Sequence, residues 1–208
     1  MSSFKLYIPL LVAAEGGYQK LKSDPGNYNS RGELVGTNFG ISAPVYEVWI
    51  GRVPSEADMR SITKTVSLEI MKAWYWDKIG ASHIHNQSVA NILADHAVNA
   101  GTGAAGKLVQ RVLNNEFGFN LSVDGAIGKL TRSAINSVDP EALHEALKNA
   151  RSIFYEELGG SFLESWLNRL TSFVFFKEAF RYVQKKKKPV FLVFIVVVGI
   201  GVYLKSKN

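Results

Sequence analysis

The spacing of apolar residues most constrains the fold. It follows the 3.6-residue period of an α-helix along most of the chain and almost nowhere alternates with period two. Phe4, Tyr7, Ile8, Leu11 and Val12 form one helical face that stops at Gly16-Gly17, with Pro9 as a kink or a late start. Ser55-Glu-Ala-Asp58 has the form of a helix start with an acid at the third position. The spacing predicts a helix over 64–77 burying Val66, Ile70, Ala73 and Trp74. It predicts another over 87–100 burying Val89, Ile92, Leu93, His96, Ala97 and Ala100, stopped by Gly101. Further helices are predicted over 102–115, 129–137, 140–158 and 161–182. Residues 16–43, rich in Gly, Asn, Ser and Asp, form a long loop with room for a short hairpin, and loops of that length are usually functional. The soluble part is expected to be all-α.

Charge sharpens this picture. The chain carries 24 basic and 18 acidic residues, a net of +6. Residues 177–208 hold eight of the basic residues and one acid, which leaves 16 basic and 17 acidic residues upstream. The folded part is thus near neutral, which argues against a nucleic-acid-binding domain with a basic folded face. With no cysteine, disulfides and thiolate metal sites are excluded too.

The basic tail encloses VFLVFIVVVGIGVYL at 190–204, fifteen residues without charge. As a helix it spans about 22 Å, short of the hydrocarbon core of about 30 Å, and flanking lysines can snorkel to extend it. Four lysines before the run suit phospholipid headgroups, so 185–208 is expected to be a basic flank and transmembrane anchor contacting the lipid membrane. The positive-inside rule would keep the large domain on the cytoplasmic side. LYIPLLVAA near the N-terminus lacks the basic lead of a signal peptide and reads as the first helix.

Glu15 carries the most chemistry. It follows Val12 by three residues and Leu11 by four, so the apolar face of its own helix directs it inward. A carboxyl held against apolar side chains has a raised pKa and can donate a proton to a glycosidic oxygen near neutral pH. The bland alternative is a surface residue ending a helix. Asn91, Asp95 and Asn99 recur every four residues, as either a solvated face or a cleft wall that hydrogen-bonds sugars. Tyr75 and Trp76 either stack on sugars or pack. His83, His85, His96 and His144 show no metal-ligand spacing, and no metal or other cofactor is expected.

Several motifs combine into a resemblance. Glu15-Gly16-Gly17-Tyr18, then Asp24-Pro25-Gly26, then Thr37-Asn38-Phe39-Gly40-Ile41-Ser42 resemble the N-terminal signature of glycoside hydrolase family 108. Tyr75-Trp76, Asp95-His96-Ala97-Val98-Asn99-Ala100-Gly101, Gln110, Leu113, Val123-Asp124-Gly125-Ala126-Ile127-Gly128 with Thr131, and Trp166-Leu167-Asn168-Arg169 extend it. The resemblance implies a lysozyme-like helical fold and a muramidase that cleaves the β-1,4 bond between N-acetylmuramic acid and N-acetylglucosamine. Glu15 would be the acid and peptidoglycan the partner. It implies a catalytic region at 1–101 and a helical, predicted peptidoglycan-binding region at 102–180.

Asp24, nine residues after Glu15, and Thr37 match the second carboxylate and the threonine of phage-type lysozymes, with a turn residue as the alternative for Asp24. Tyr18, Asn38, Asp95, Asn99 and Trp76 are the candidate substrate-binding residues. The chain departs from the pattern at 27–36, an intervening segment, and at Phe39, where tyrosine is common. The combined expectation is an all-α, lysozyme-like single-pass membrane protein of phage or virion type. The alternatives are a catalytically idle wall-binding membrane protein and a secretion-activating wall remodeller.

Overall fold

The computed structural model describes residues 1–14, 16–160 and 163–175. Among them it forms α1 (Phe4–Ala14), α2 (Ala43–Ile50), α3 (Glu56–Ser61), α4 (Lys64–Met71), α5 (Gln87–Ala100), α6 (Thr102–Phe117), α7 (Lys129–Ser137), α8 (Pro140–Leu158) and α9 (Leu163–Thr171). No strand forms among the described residues, where extended pairing is limited to three isolated bridges. The chain divides into two units, Leu11–Trp74 and a second made of Met1–Leu10 with the chain from Tyr75.

In the second unit, α5 is the centre. Asn86 caps it by accepting hydrogen bonds from the Ser88 and Val89 amides, and every residue from Ser88 to Ala97 is buried. α6 and α8 pack on α5, and α9 packs on α8. A helix enclosed on all sides leaves its polar residues nowhere to hydrate. Asp95, at the middle of the stripe with Asn91 and Asn99, meets that demand internally. Arg151 Nη2 donates to Asp95 Oδ2 at 2.7 Å, and Arg169 donates to Oδ1 through Nε at 2.9 Å and Nη2 at 2.6 Å. Asn99 adds a bond to Oδ2 at 3.1 Å, while Arg151 Nη1 donates to the Ile92 carbonyl at 3.1 Å. Asp95 and Arg151 are 0% and 1% exposed. Burial alone would raise the Asp95 carboxyl, but the two guanidinium groups outweigh it and hold the group below its usual range. Next to it, burial and then Arg151 push His96 down to about 3, so its ring is neutral in the fold.

A close approach docks the 123–128 turn onto α6. A Cβ on Gly106 would lie 1.9 Å from the Gly125 carbonyl oxygen, so only glycine fits. Gln110 locks the contact, donating to Asp124 Oδ1 at 2.8 Å and accepting from the Gly125 amide at 2.9 Å. Two features singled out in the sequence, Gln110 and the Asp124-Gly125 turn, thus form one structural joint.

The helix expected over 64–77 breaks up. α4 passes into a π-helical turn, Lys72–Trp76. The wider turn advances the inward face by one residue, from the fourth position after Met71 to the fifth. Trp76 is therefore fully buried, whereas Trp74 is half-buried. Trp76 stacks on Tyr7 at 5.7 Å and donates its indole N–H to Ser82 Oγ at 2.8 Å. α2 is a helix that sequence periodicity did not isolate.

The single-pass expectation is corrected. Among the described residues no helix is long and apolar enough to cross a membrane. The longest, α8, spans 19 residues but carries Glu141, Glu145, Lys148, Arg151, Glu156 and Glu157. The expected anchor at 185–208 lies outside the described residues. Among the described residues the fold class is therefore all-α without a transmembrane helix, and the membrane partner and membrane location are withdrawn with it.

Two predictions follow from the buried charges. Asp95→Ala strands Arg151 without its anion and should lower stability by about 3–5 kcal/mol in urea unfolding. Separately, the unfolded chain protonates His96 near pH 6.5 while the native ring resists to about 3. The unfolded state thus binds more protons in that window, so stability present above pH 6.5 is lost as pH falls toward 3. Asp95 adds its own loss only lower, as pH falls below its ordinary range. His96→Phe, which keeps the ring contacts with Phe154 and Tyr155, should flatten the melting temperature between pH 6.5 and 4.

Candidate active site and a second groove

The site is built in the unit Leu11–Trp74, where a loop without strands must satisfy its own backbone. Buried amide side chains do this. Asn27 donates to Gln19 Oε1 at 2.8 Å and to the Leu21 carbonyl at 2.9 Å, and its own carbonyl accepts from the Val35 and Gly36 amides. Asn29 donates to Glu33 Oε2 at 2.7 Å and to the Pro54 carbonyl at 3.0 Å. The intervening segment 27–36 therefore closes on itself, with Tyr28 and Leu34 bridged.

Asp24 caps the 3-10 turn Pro25–Asn27. Its Oδ1 accepts from the Gly26 amide at 2.8 Å and its Oδ2 from Gln19 Nε2 at 2.9 Å. This is the turn geometry, yet a carboxylate has about four acceptor positions, so capacity for a water remains. Thr37 pairs with Gln19 through both backbone bonds at 2.9 Å, and its hydroxyl reaches the Gly26 carbonyl at 3.4 Å. Gln19, Asp24, Asn27 and Thr37 are thus brought into one hydrogen-bonded cluster. Tyr18 donates to the Val35 carbonyl at 3.0 Å, with the Arg60 guanidinium 3.8 Å from its ring centroid. Burial, then Glu56, raises its phenol above the usual value.

Asn38 is 4% exposed and donates to the Met59 carbonyl at 3.0 Å, closing the end of α3. It begins a two-residue turn in which Asn38 and Ile41 exchange backbone bonds at 3.1 and 2.9 Å. The central residues, Phe39 at φ 45° and Gly40 at φ 72°, both lie in the left-handed region, as a type I′ turn requires. For Phe39 this conformation costs about 1–2 kcal/mol. Ser67 Oγ donates to the Phe39 carbonyl at 2.8 Å and holds it there.

Leu11, Val12, Gly16, Gly17, Phe39, Lys64, Ser67 and Leu68 line a cavity of about 140 Å³. The lining includes residues on both sides of Glu15 in sequence; Glu15 itself lies outside the described residues. Lys64, Ser67 and Leu68 were not anticipated, although a serine on the buried face of α4 was a legible signal. The other three candidate substrate contacts, Asp95, Trp76 and Asn99, have partners within the fold. Asp95 is enclosed and ion-paired with Arg151 and Arg169. Trp76 is buried in aromatic packing. Asn99 is exposed but donates its amide to Asp95.

The other unit has a groove of about 440 Å³ between α6 and α8. Lys107 and Arg111 stand one turn apart on α6, Glu157 lies on α8, and Leu108, Val112, Phe154 and the 55% exposed Ile153 supply apolar surface.

Residues 8–101 match the family model described as Glycosyl hydrolase 108. That stretch is a glycosyl hydrolase 108 region. Residues 104–171 match the model described as Predicted Peptidoglycan domain. The solved structure of Brucella abortus SagA is similar, at 28% identity and a TM-score of 0.69, over 81% of this chain and 89% of that one. No curated protein matches the chain. The chain thus joins a glycoside hydrolase region to a peptidoglycan region and is a peptidoglycan-degrading enzyme.

The hydrogen bonds of Asp24 make a stability prediction. Gln19 Nε2 also donates to Asn27 Oδ1, so its amide is fixed in orientation. Asp24→Asn that keeps the Gly26 bond sets an amide donor against Gln19 Nε2 and should cost about 1–2 kcal/mol. Thermal unfolding at neutral pH reads it out.

Proposed function

We propose that the chain is a muramidase that hydrolyses the β-1,4 bond between N-acetylmuramic acid and N-acetylglucosamine, with Glu15 as general acid. The observation that carries this reading is the cavity lined by Leu11, Val12, Gly16 and Gly17, the near neighbours of Glu15 in sequence, together with Phe39 and Leu68. An apolar wall raises a carboxyl pKa and keeps the acid protonated until it is donated to the leaving oxygen. The two glycines leave room for a bulky polymer at that point. Asp24 is the candidate second carboxylate, orienting water or offsetting the developing positive charge with its spare acceptor positions, and Thr37 steadies the same loop. Tyr18 and Asn38 serve the site by fixing its walls.

In this reading 1–101 is the catalytic region and 102–180 the wall-binding region. The α6–α8 groove suits a stem peptide, with Lys107 and Arg111 for its carboxylates and the apolar surface for its alanine methyls.

Glu15→Gln should abolish release of new reducing ends from purified peptidoglycan while the melting temperature stays within about 2 °C, since only the proton donor is lost. Asp24→Asn should reduce hydrolysis less than Glu15→Gln. Wild-type clearing by Glu15→Gln would end the assignment. Lys107→Glu with Arg111→Glu should weaken co-sedimentation with insoluble wall about tenfold at low salt and spare turnover of soluble fragments.

A further inference from the structure

Phe39 is the non-glycine residue with positive φ among the described residues, and it is half-buried rather than enclosed. Asparagine or glycine would occupy this turn position without strain. The fold nevertheless holds a phenylalanine there by several bonds: the backbone exchange of Asn38 and Ile41, the Asn38 amide on the Met59 carbonyl, and the Ser67 hydroxyl on the Phe39 carbonyl. Strain sustained in this way clusters at active sites and ligand clamps. Phe39 lines the same cavity as Leu11, Val12 and Leu68, which at about 140 Å³ holds part of one sugar residue and not a disaccharide.

We infer that Phe39 is a specificity-determining residue, whose ring forms one wall of a subsite for an N-acetylated pyranose. The flat C–H face of the sugar lies on the aromatic face, and the acetamido methyl enters the apolar corner formed by Leu11, Val12 and Leu68. The ligand class follows from the lining: apolar surface for a methyl, an aromatic for a pyranose face, and Lys64 for an oxygen acceptor. The left-handed backbone fixes the direction of the Cα–Cβ bond, so the wall is set before substrate arrives. This inference rests on the proposed glycan-cleaving site and names a subsite within it.

The test compares Phe39→Gly, Phe39→Asn and Phe39→Tyr in the full chain on soluble peptidoglycan fragments. Glycine and asparagine both relieve the backbone strain that the wild-type residue bears, which offsets the loss of a half-buried ring, so both should melt within about 3 °C of wild type. Both should raise KM about tenfold with kcat changed less than about threefold, as expected for one lost aromatic contact. Phe39→Tyr should stay within about threefold in both parameters. An unchanged KM in the glycine and asparagine variants overturns the inference, as does a melt lowered by more than about 8 °C in both, which would make the ring a core element. Calorimetric titration with tri-N-acetylchitotriose separates this inference from the function it rests on. If the wild-type chain does not hydrolyse the wall, the muramidase reading fails. The subsite then stands if the wild type binds the trisaccharide and the glycine variant binds about tenfold more weakly, and it falls if the two bind alike or not at all.

Discussion

A carboxylate with no access to water dominates the energetics of the unit that contains α5. Asp95 lies on a helix enclosed by others, and a lone charge there would be too costly to keep. Arg151 from α8 and Arg169 from α9 meet it with directional, charge-assisted bonds, so three helices are set in register around one anion. Such a network adds less net stability than its bonds suggest, because desolvation offsets much of the attraction. Its consequence is uniqueness: α8 and α9 cannot slide or rotate on α5 without separating a buried pair. The neutral His96 beside Arg151 belongs to the same arrangement, since a second cation there would be uncompensated.

The loop of the other unit meets a related problem with neutral groups. Without strands, its amides and carbonyls need partners, and three buried asparagines supply many of them. A loop pinned this way can carry a backbone conformation that a free loop would relax. That links the asparagines to the cavity, because the Asn38 turn holds Phe39 in the left-handed region. It also accounts for the extra segment at 27–36, which folds back through the Asn27 carbonyl rather than extending away.

In this peptidoglycan-degrading enzyme the two candidate sites differ in their physics. The candidate catalytic cavity is small, apolar and rigidly framed. The α6–α8 groove is larger, open and edged by charges of both signs, features suited to a flexible polymer with ionised peptide stems. The glycine contact between α6 and the 123–128 turn fixes the wall of helices in which that groove lies.

Helical periodicity by itself determined most of the architecture. The predicted spans 87–100, 129–137 and 140–158 coincide with α5, α7 and α8, because burial of one or more faces at a 3.6-residue period leaves a direct trace in sequence. The ordered motifs around Glu15, Asp24 and Thr37 likewise marked the family and the loop. What sequence spacing could not decide was the environment of a polar residue. Asn91, Asp95 and Asn99 have the spacing of a solvated stripe, yet α8 and α9 cover Asp95, and their arginines lie 56 and 74 residues away along the chain. Trp76 was a possible sugar platform until a π-turn rotated it inward, an effect of one residue that periodicity cannot register. The strain at Phe39 is invisible for the same reason: backbone dihedrals at a turn are set by Asn38, Met59 and Ser67 together, and only the tertiary structure brings those three to one place.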